Sequence, residues 1–357
     1  MDGTAWSLNV VDMTTGRTVA SHASGVPRIP ASNVKIITAA AALLTFGPEH
    51  RFATSVHVDG HTVVVRGGGD PALGPQAVED IARAVAPAMT GAPCVPRVLM
   101  DLGLYAAFTP APGWSADLLP WEARPVVPVA PPGHRSTAPH LRTGMQVAAA
   151  IGRRTHGAVL AGTGPVPPGA RCVVQVPSDA VAALVGRMLL DSESDVAEVL
   201  ARNVAIARGL PATWGGVRDG LEGTLRDAGF DLSGCAFPDG SGLSRRAALR
   251  ADLVTDLLVA AADRSRHPVL GLIADALPVA GLTGTLDPAA GWFPRGSHPA
   301  AIGRVRAKTG TLRDVTALSG YVDRDDGQRW AFSVMVNDCD ARASRDAVAS
   351  LAAGLAS

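Results

Sequence analysis

The sequence predicts a mixed fold, α/β in class with an α+β arrangement, on three observations. Helical periodicity runs over residues 34–44, 179–190, 195–207, 214–228 and 251–263. Strand patterns occupy both ends of the chain. Between them lies a long region rich in proline and glycine, with short strands and one helix.

Taken in order, residues 4–23 alternate and turn at Thr14-Thr15-Gly16-Arg17, which reads as a β-hairpin. Pro27 and Pro30 break the chain, and Ser32 follows at an N-cap position for an apolar helix. That helix is apolar nearly all round, so it should be buried. A second hairpin spans 53–66 around Asp59-Gly60, and Gly67-Gly68-Gly69-Asp70-Pro71 ends it. One helix should open at Pro75 and stop before Pro87. Residues 109–139 are the most irregular part. The C-terminus supplies strands at 305–308, 316–322 and 330–336, then a helix over 341–355. Residues 1–55 and 186–357 therefore read as one domain, with 56–185 inserted into it.

A chain of 357 residues, 47% hydrophobic, has material for two domains or one large domain with an insertion. Its 32 basic and 32 acidic residues cancel, which gives no electrostatic reason to expect a nucleic acid or an anionic membrane as partner. No run approaches the ~20 apolar residues of a membrane span. The opening Met-Asp-Gly-Thr-Ala-Trp has neither a basic nor an apolar signal region. Four cysteines, Cys94, Cys172, Cys235 and Cys339, lack CxxC spacing, which does not suit zinc; a Cys94–Cys172 disulfide stays open.

The chemistry concentrates in two motifs. Ser32-Asn33-Val34-Lys35 places a hydroxyl and an amine one helical turn apart, on one face. A serine hydroxyl is a poor nucleophile until a base takes its proton, and a lysine held neutral by burial or a nearby cation can do so. Lys308-Thr309-Gly310-Thr311 reads as a strand edge. Lys308 would supply that cation, Gly310 would leave room for a substrate backbone, and both threonine hydroxyls could bond a carboxylate. The Ser32 amide at the helix N-terminus could donate to a developing oxyanion. Each motif alone reads equally as an N-cap or a surface strand; the ordered pair is the signature of active-site serine enzymes acylated by β-lactams and D-alanyl peptides.

A third element should lie between them, and Ser192-Glu193-Ser194-Asp195-Val196-Ala197-Glu198 is the candidate. With it the chain resembles the penicillin-binding protein 4 family, the D-alanyl-D-alanine carboxypeptidases/endopeptidases of peptidase family S13. The resemblance covers nearly the whole chain, also taking in Gly67 to Pro71, Asp239-Gly240-Ser241-Gly242-Leu243-Ser244-Arg245, Gly284-Thr285-Leu286 and Ala307 to Leu312. The long insertion between the first two motifs is the family's hallmark. The family usually reads Ser-Asp-Asn where this chain has Ser192-Glu193-Ser194, so Ser194 departs from it.

The resemblance implies a serine β-lactamase/DD-peptidase-like antiparallel sheet flanked by helices, with a large mainly-β inserted domain. It implies Ser32 as acylated nucleophile, Lys35 as general base, and Ser192 as proton relay to the leaving D-alanine, oriented by Lys308. Ser194, Thr309, Gly310 and Thr311 would form the substrate contacts, with the Thr311 amide completing the oxyanion hole. The implied partners are peptidoglycan stem peptides and β-lactam antibiotics, with no cofactor and no metal. The implied location is extracytoplasmic, with the export segment absent from this chain. The same residues also fit a non-catalytic cell-wall or β-lactam-binding paralogue, which Ser194 favours, or a serine esterase or amidase of the same fold.

Other features have plainer readings. Gly67 to Asp70 lacks the Gly-Lys-Ser/Thr of a phosphate loop and reads as a tight turn. Asp239-Gly240-Ser241-Gly242 reads as a structural turn, and Glu198 as a structural hydrogen-bonding residue. His57 and His61 flank a turn, and His134, His140 and His156 have no convergent carboxylates. Among the tryptophans, Trp121 alone is expected to line a site.

Overall fold

A computed structural model describes residues 5–89, 94–133 and 135–357. Thr4, where the first hairpin should begin, the opening residues 1–3 and His134 lie outside the described residues.

Strands β1 (Ala5–Asp12) and β2 (Thr18–His22) form the expected hairpin. The Asp12 carboxylate accepts from the Thr14 amide and the Thr15 hydroxyl, which closes its turn. A 3-10 turn, Ala31–Asn33, leads into helix α1 (Val34–Phe46). Next come β3 (Arg51–Asp59), β4 (Thr62–Arg66), α2 (Pro75–Met89), β5 (Arg97–Asp101), α3 (Pro139–Gly152), β6 (Val159–Thr163) and β7 (Arg171–Ala180). Helices α4 (Val181–Leu190), α5 (Ser194–Ala207), α6 (Trp214–Asp227), α7 (Ala251–Ala262) and α8 (Gly271–Ala276) follow. Strands β8 (Val305–Leu312), β9 (Val315–Asp323) and β10 (Arg329–Asn337) and helix α9 (Ala341–Ala356) complete the chain.

Two five-stranded sheets result. The first, ordered β2-β1-β10-β9-β8, is antiparallel throughout, and its β1–β10 pairing joins the two ends of the chain. The second, ordered β6-β5-β4-β3-β7, is mixed, because β5 runs parallel to both β4 and β6. Two helices, α2 and α3, pack their apolar sides into this second sheet's core. Strand β3 starts at Arg51, so residues 51–55 pair within the second sheet although the sequence pattern grouped them with the first unit.

Helix α1 is the hub of the larger core. Every residue from Val34 to Leu43 is buried, among side chains of α4, α5, α6 and α7. Small alanines at 39–42 let neighbouring helices approach it closely. On the sheet's other face, Val348, Ala349 and Ala352 of α9 pack with Val305, Leu318 and Phe332.

Two local expectations change. Helix α2 runs through Pro87 to Met89. Pro87 lies inside the last turn, where it donates no bond to the preceding turn, and the Met89 side chain beyond it is buried. All four cysteines are free, and Cys94 and Cys172 are exposed.

The irregular segment before α3 is anchored by polar contacts instead of regular structure. Its Arg124 side chain is 4% exposed and donates to the carbonyls of Pro71 and Pro131. The same residue meets Asp195, at the start of α5, through its backbone amide and its guanidinium, both at 3.0 Å. Breaking a buried pair costs more than the pair contributes, because a desolvated charge is left behind. Asp195 keeps some solvent contact, so Arg124→Ala should destabilise by about 2–3 kcal/mol, below the fully buried range. Urea unfolding checks this; a midpoint unchanged from the parent would contradict it.

Candidate active site

Ser32 occupies the 3-10 turn ahead of α1, and the helix N-cap falls on Asn33, which makes no side-chain cap bond. Ser32 therefore does not cap the helix as its position suggested. Its entry residue Ala31 sits at φ 47°, a left-handed strain that a non-glycine residue adopts only when its surroundings impose it. Released from capping, the Ser32 Oγ accepts from Lys35 Nζ at 2.9 Å.

Lys35 is fully buried and has two further partners. Its Nζ donates to the Ser241 carbonyl at 2.9 Å and to the Ser194 hydroxyl at 3.4 Å. The Ser241 carbonyl is aimed by the loop 239–244. Glu198 accepts from the Gly240 and Ser241 amides, and Asp239 accepts from the Gly242 and Ser244 amides. Thr38, one turn along α1 from Lys35, donates to the Gly240 carbonyl at 2.6 Å. Both carboxylates are fully buried. The turn and the glutamate bond one another, and the turn also supplies a partner to Lys35.

Lys308 lies on β8, the edge strand, which rests against the 3-10 turn carrying Ser32. Its side chain is fully buried and donates to the Thr309 carbonyl at 3.0 Å. Lys35 and Lys308 are the only lysines in the chain; every other basic residue among the 32 is arginine. Arginine cannot lose its proton in a protein, whereas a buried lysine can. The two amines therefore stand where a deprotonable base has a use.

Burial lowers Lys35 from its ordinary value to about 8, against the opposing pull of Asp239, Glu198 and Asp195. Burial drives Lys308 well below the usual amine range, and the Lys35 charge adds to that. Carboxylates around Lys35 oppose its shift, and Asp191 opposes that of Lys308. Burial likewise raises Glu198 to about 7 and raises Asp239.

The remaining expected residues have the following surroundings. Gly310 is required by the chain itself: a Cβ there would stand 2.7 Å from the Pro30 carbonyl oxygen and 2.9 Å from Asn33 Nδ2. Its close approach is to the Ser32 turn. The Thr309 hydroxyl donates to Thr285 at 2.9 Å, so its proton is already engaged. Thr311 is exposed on the edge strand. Ser192 has a left-handed φ of 60°, and its side chain makes no hydrogen bond among the described residues. Ser194 is the hydroxyl beside Lys35.

Trp121 is exposed at 61% and carries Arg135 over its ring, and its neighbour Glu122 is close enough to act on the Lys35 charge. Trp114 is the tryptophan that reaches inward, donating from Nε1 to Asp239 at 2.8 Å. Nothing in sequence spacing distinguishes it, because its partner lies far along the chain. Thr285 had a usable signal, since it belongs to the Gly-Thr-Leu segment already singled out.

An antiparallel sheet with a buried serine–lysine pair beside its edge strand defines the penicillin-binding class of hydrolases. The chain belongs to the D-Ala-D-Ala carboxypeptidase 3 (S13) family, which it matches over residues 1–129 and 138–356. It is a carboxypeptidase-type hydrolase. Carboxypeptidase DacB of Mycolicibacterium smegmatis is 33% identical over 374 residues, covering 98% of this chain and 79% of that protein. The D-alanyl-D-alanine carboxypeptidase of Actinomadura sp. (strain R39) is 29% identical over 435 residues, covering 94% and 78%. Penicillin binding protein 4 from Haemophilus influenzae shares the fold, with a TM-score of 0.78 at 18% identity over 95% of this chain and 91% of that one.

The loop that aims Ser241 depends on Gly242, whose φ is 80°. A methyl at that position would overlap the Ala31 carbonyl oxygen beside the nucleophile. Gly242→Ala should cost about 2–4 kcal/mol, from left-handed strain plus the clash. A change below about 0.5 kcal/mol in urea unfolding would contradict this, being what an ordinary surface substitution does.

Proposed function

We propose that this chain is a serine-type D-alanyl-D-alanine carboxypeptidase/endopeptidase. It acts on peptidoglycan stem peptides through an acyl-enzyme on Ser32 and is acylated by penicillins at the same atom. The observation that carries this reading is the 2.9 Å contact between the Ser32 hydroxyl and a fully buried lysine amine. Because its substrate is cell-wall peptide, its place of work is extracytoplasmic; no helix among the described residues is long and apolar enough to cross a membrane.

In acylation, neutral Lys35 takes the Ser32 proton as Oγ bonds to the scissile carbonyl carbon. The C–N bond then breaks, and the departing D-alanine amine receives a proton. Water adds to the acyl carbon, the bond to Ser32 Oγ breaks, and Ser32 recovers its proton. The amides of Ser32 and Thr311 are the oxyanion donors in this reading. Thr311, exposed on β8, meets the substrate carboxylate, and Thr309 joins it by turning away from Thr285. Lys308 supports the site from the edge strand, beside the turn that carries Ser32.

Incubation with a fluorescent penicillin, followed by peptide mass spectrometry, should place a stable adduct on Ser32 that Ser32→Ala loses. Lys35→Ala should slow acylation by about 10³-fold, within the range of an acid–base group. Absence of any Ser32 adduct would end the acyl-enzyme reading.

The pH dependence has a definite sign. The neutral form of Lys35 is the base, and with a value of about 8 roughly a tenth is neutral at pH 7. The acylation rate should therefore rise about tenfold per unit from pH 6 to 7 and level off above pH 8. A flat profile over this range, from stopped-flow acylation, would contradict Lys35 as the base.

A further inference from the structure

We propose that the start of β8 carries a second binding site, one for a tetrahedral oxyanion such as a phosphate group. Arg264 in the turn after α7, Arg306 on β8 and Arg329 on β10 line one cavity of about 310 Å³, together with Asp275 of α8. Tyr321 of β9, only 2% exposed, lines it as well. Arg306 and Tyr321 are register partners in the β8–β9 ladder, which fixes the strand side of the cavity. No residue of the Ser32 site lines it.

The three arginines are not equally satisfied. Arg264 donates from Nη2 to Asp275 at 2.6 Å, and Arg329 donates from Nε and Nη2 to Asp323 at 2.6 and 3.1 Å. A guanidinium carries five N–H donors, so both keep donors to spare. Arg306 is half-buried, and its side chain has neither a hydrogen bond nor an ion pair among the described residues. Drawing a charge out of water without a partner is costly, and a counter-charge removes that cost. Three guanidiniums face two carboxylates here, so the cluster lacks one negative charge.

The same donors point to the shape of the missing group. Guanidinium forks pair with the oxygens of carboxylates and phosphates. A carboxylate has two oxygens, whereas a phosphate group presents three or four, enough to meet arginines from three separate elements. The Tyr321 hydroxyl already donates to the Leu258 carbonyl at 2.7 Å, so the arginines supply the donors. Residues two apart on a strand share a face, so Arg306 and Lys308 lie on the same side of β8. A bound anion therefore rests on the strand that carries Lys308.

Titration calorimetry tests this on the purified chain, with sodium phosphate at pH 7 and ionic strength held constant by chloride. One saturable site per chain is expected, with acetate binding about 10-fold more weakly or worse. Arg306→Ala should weaken phosphate binding about 10-fold or more, the scale of a lost hydrogen bond to a charged group. Thr311→Ala, toward the far end of β8, should bind phosphate as the parent does. Absence of saturable phosphate binding, parent-like affinity in Arg306→Ala, or acetate binding as tight as phosphate would overturn the assignment. Weaker binding in Thr311→Ala would do so too, because it would place the anion at the Ser32 site. If Arg306→Ala does not fold, Arg264→Ala, whose side chain is 60% exposed, carries the same expectation. The measurement involves no acylation, so its outcome is separate from that of the acyl-enzyme reading.

Discussion

Placing the Lys35 amine inside the protein is the constraint around which the rest of the site is arranged. An ammonium taken out of water loses a large solvation energy unless its protons find acceptors and nearby negative charge. Here two hydroxyls and one carbonyl receive its protons, while Asp239, Glu198 and Asp195 supply the charge. Too little compensation would leave the lysine permanently neutral; too much would keep it protonated. The balance places it at about 8, close enough to neutrality to act as a base. Burial lowers Lys308 as well, and the Lys35 charge adds to that.

That arrangement explains features which are otherwise unconnected. The carboxylates near Lys35 must themselves be held, and backbone amides of the 239–244 loop hold Asp239 and Glu198. The irregular segment before α3 holds the others: Trp114 donates to Asp239, and Arg124 pairs with Asp195. A stretch without regular structure thus contributes two buried contacts to the electrostatics of the lysine. Its proline-rich backbone suits this, since proline has no N–H to leave unpaired in a region lacking ladder bonds.

Much of the fold was legible because periodicity reports which face is buried. Helix α1, the terminal strands and α5 to α7 appear close to where apolar spacing put them. The contact between Ser32 and Lys35 was legible because a turn of helix brings residues three apart together. Interactions between distant segments were not legible. No spacing rule pairs Trp114 with Asp239, and none says that Gly310 must leave room for Pro30 and Asn33.

Because Lys35 and Lys308 are the only lysines, lysine labelled with ¹³C at Cε gives one signal for each in the folded protein. Following both signals with pH by NMR, with Lys35→Arg to assign them, tests the central claim directly. The account predicts that the Lys35 signal titrates near 8 and that the Lys308 signal also titrates below the ordinary lysine range. Two signals titrating together near the ordinary lysine value of about 10.4 would contradict it.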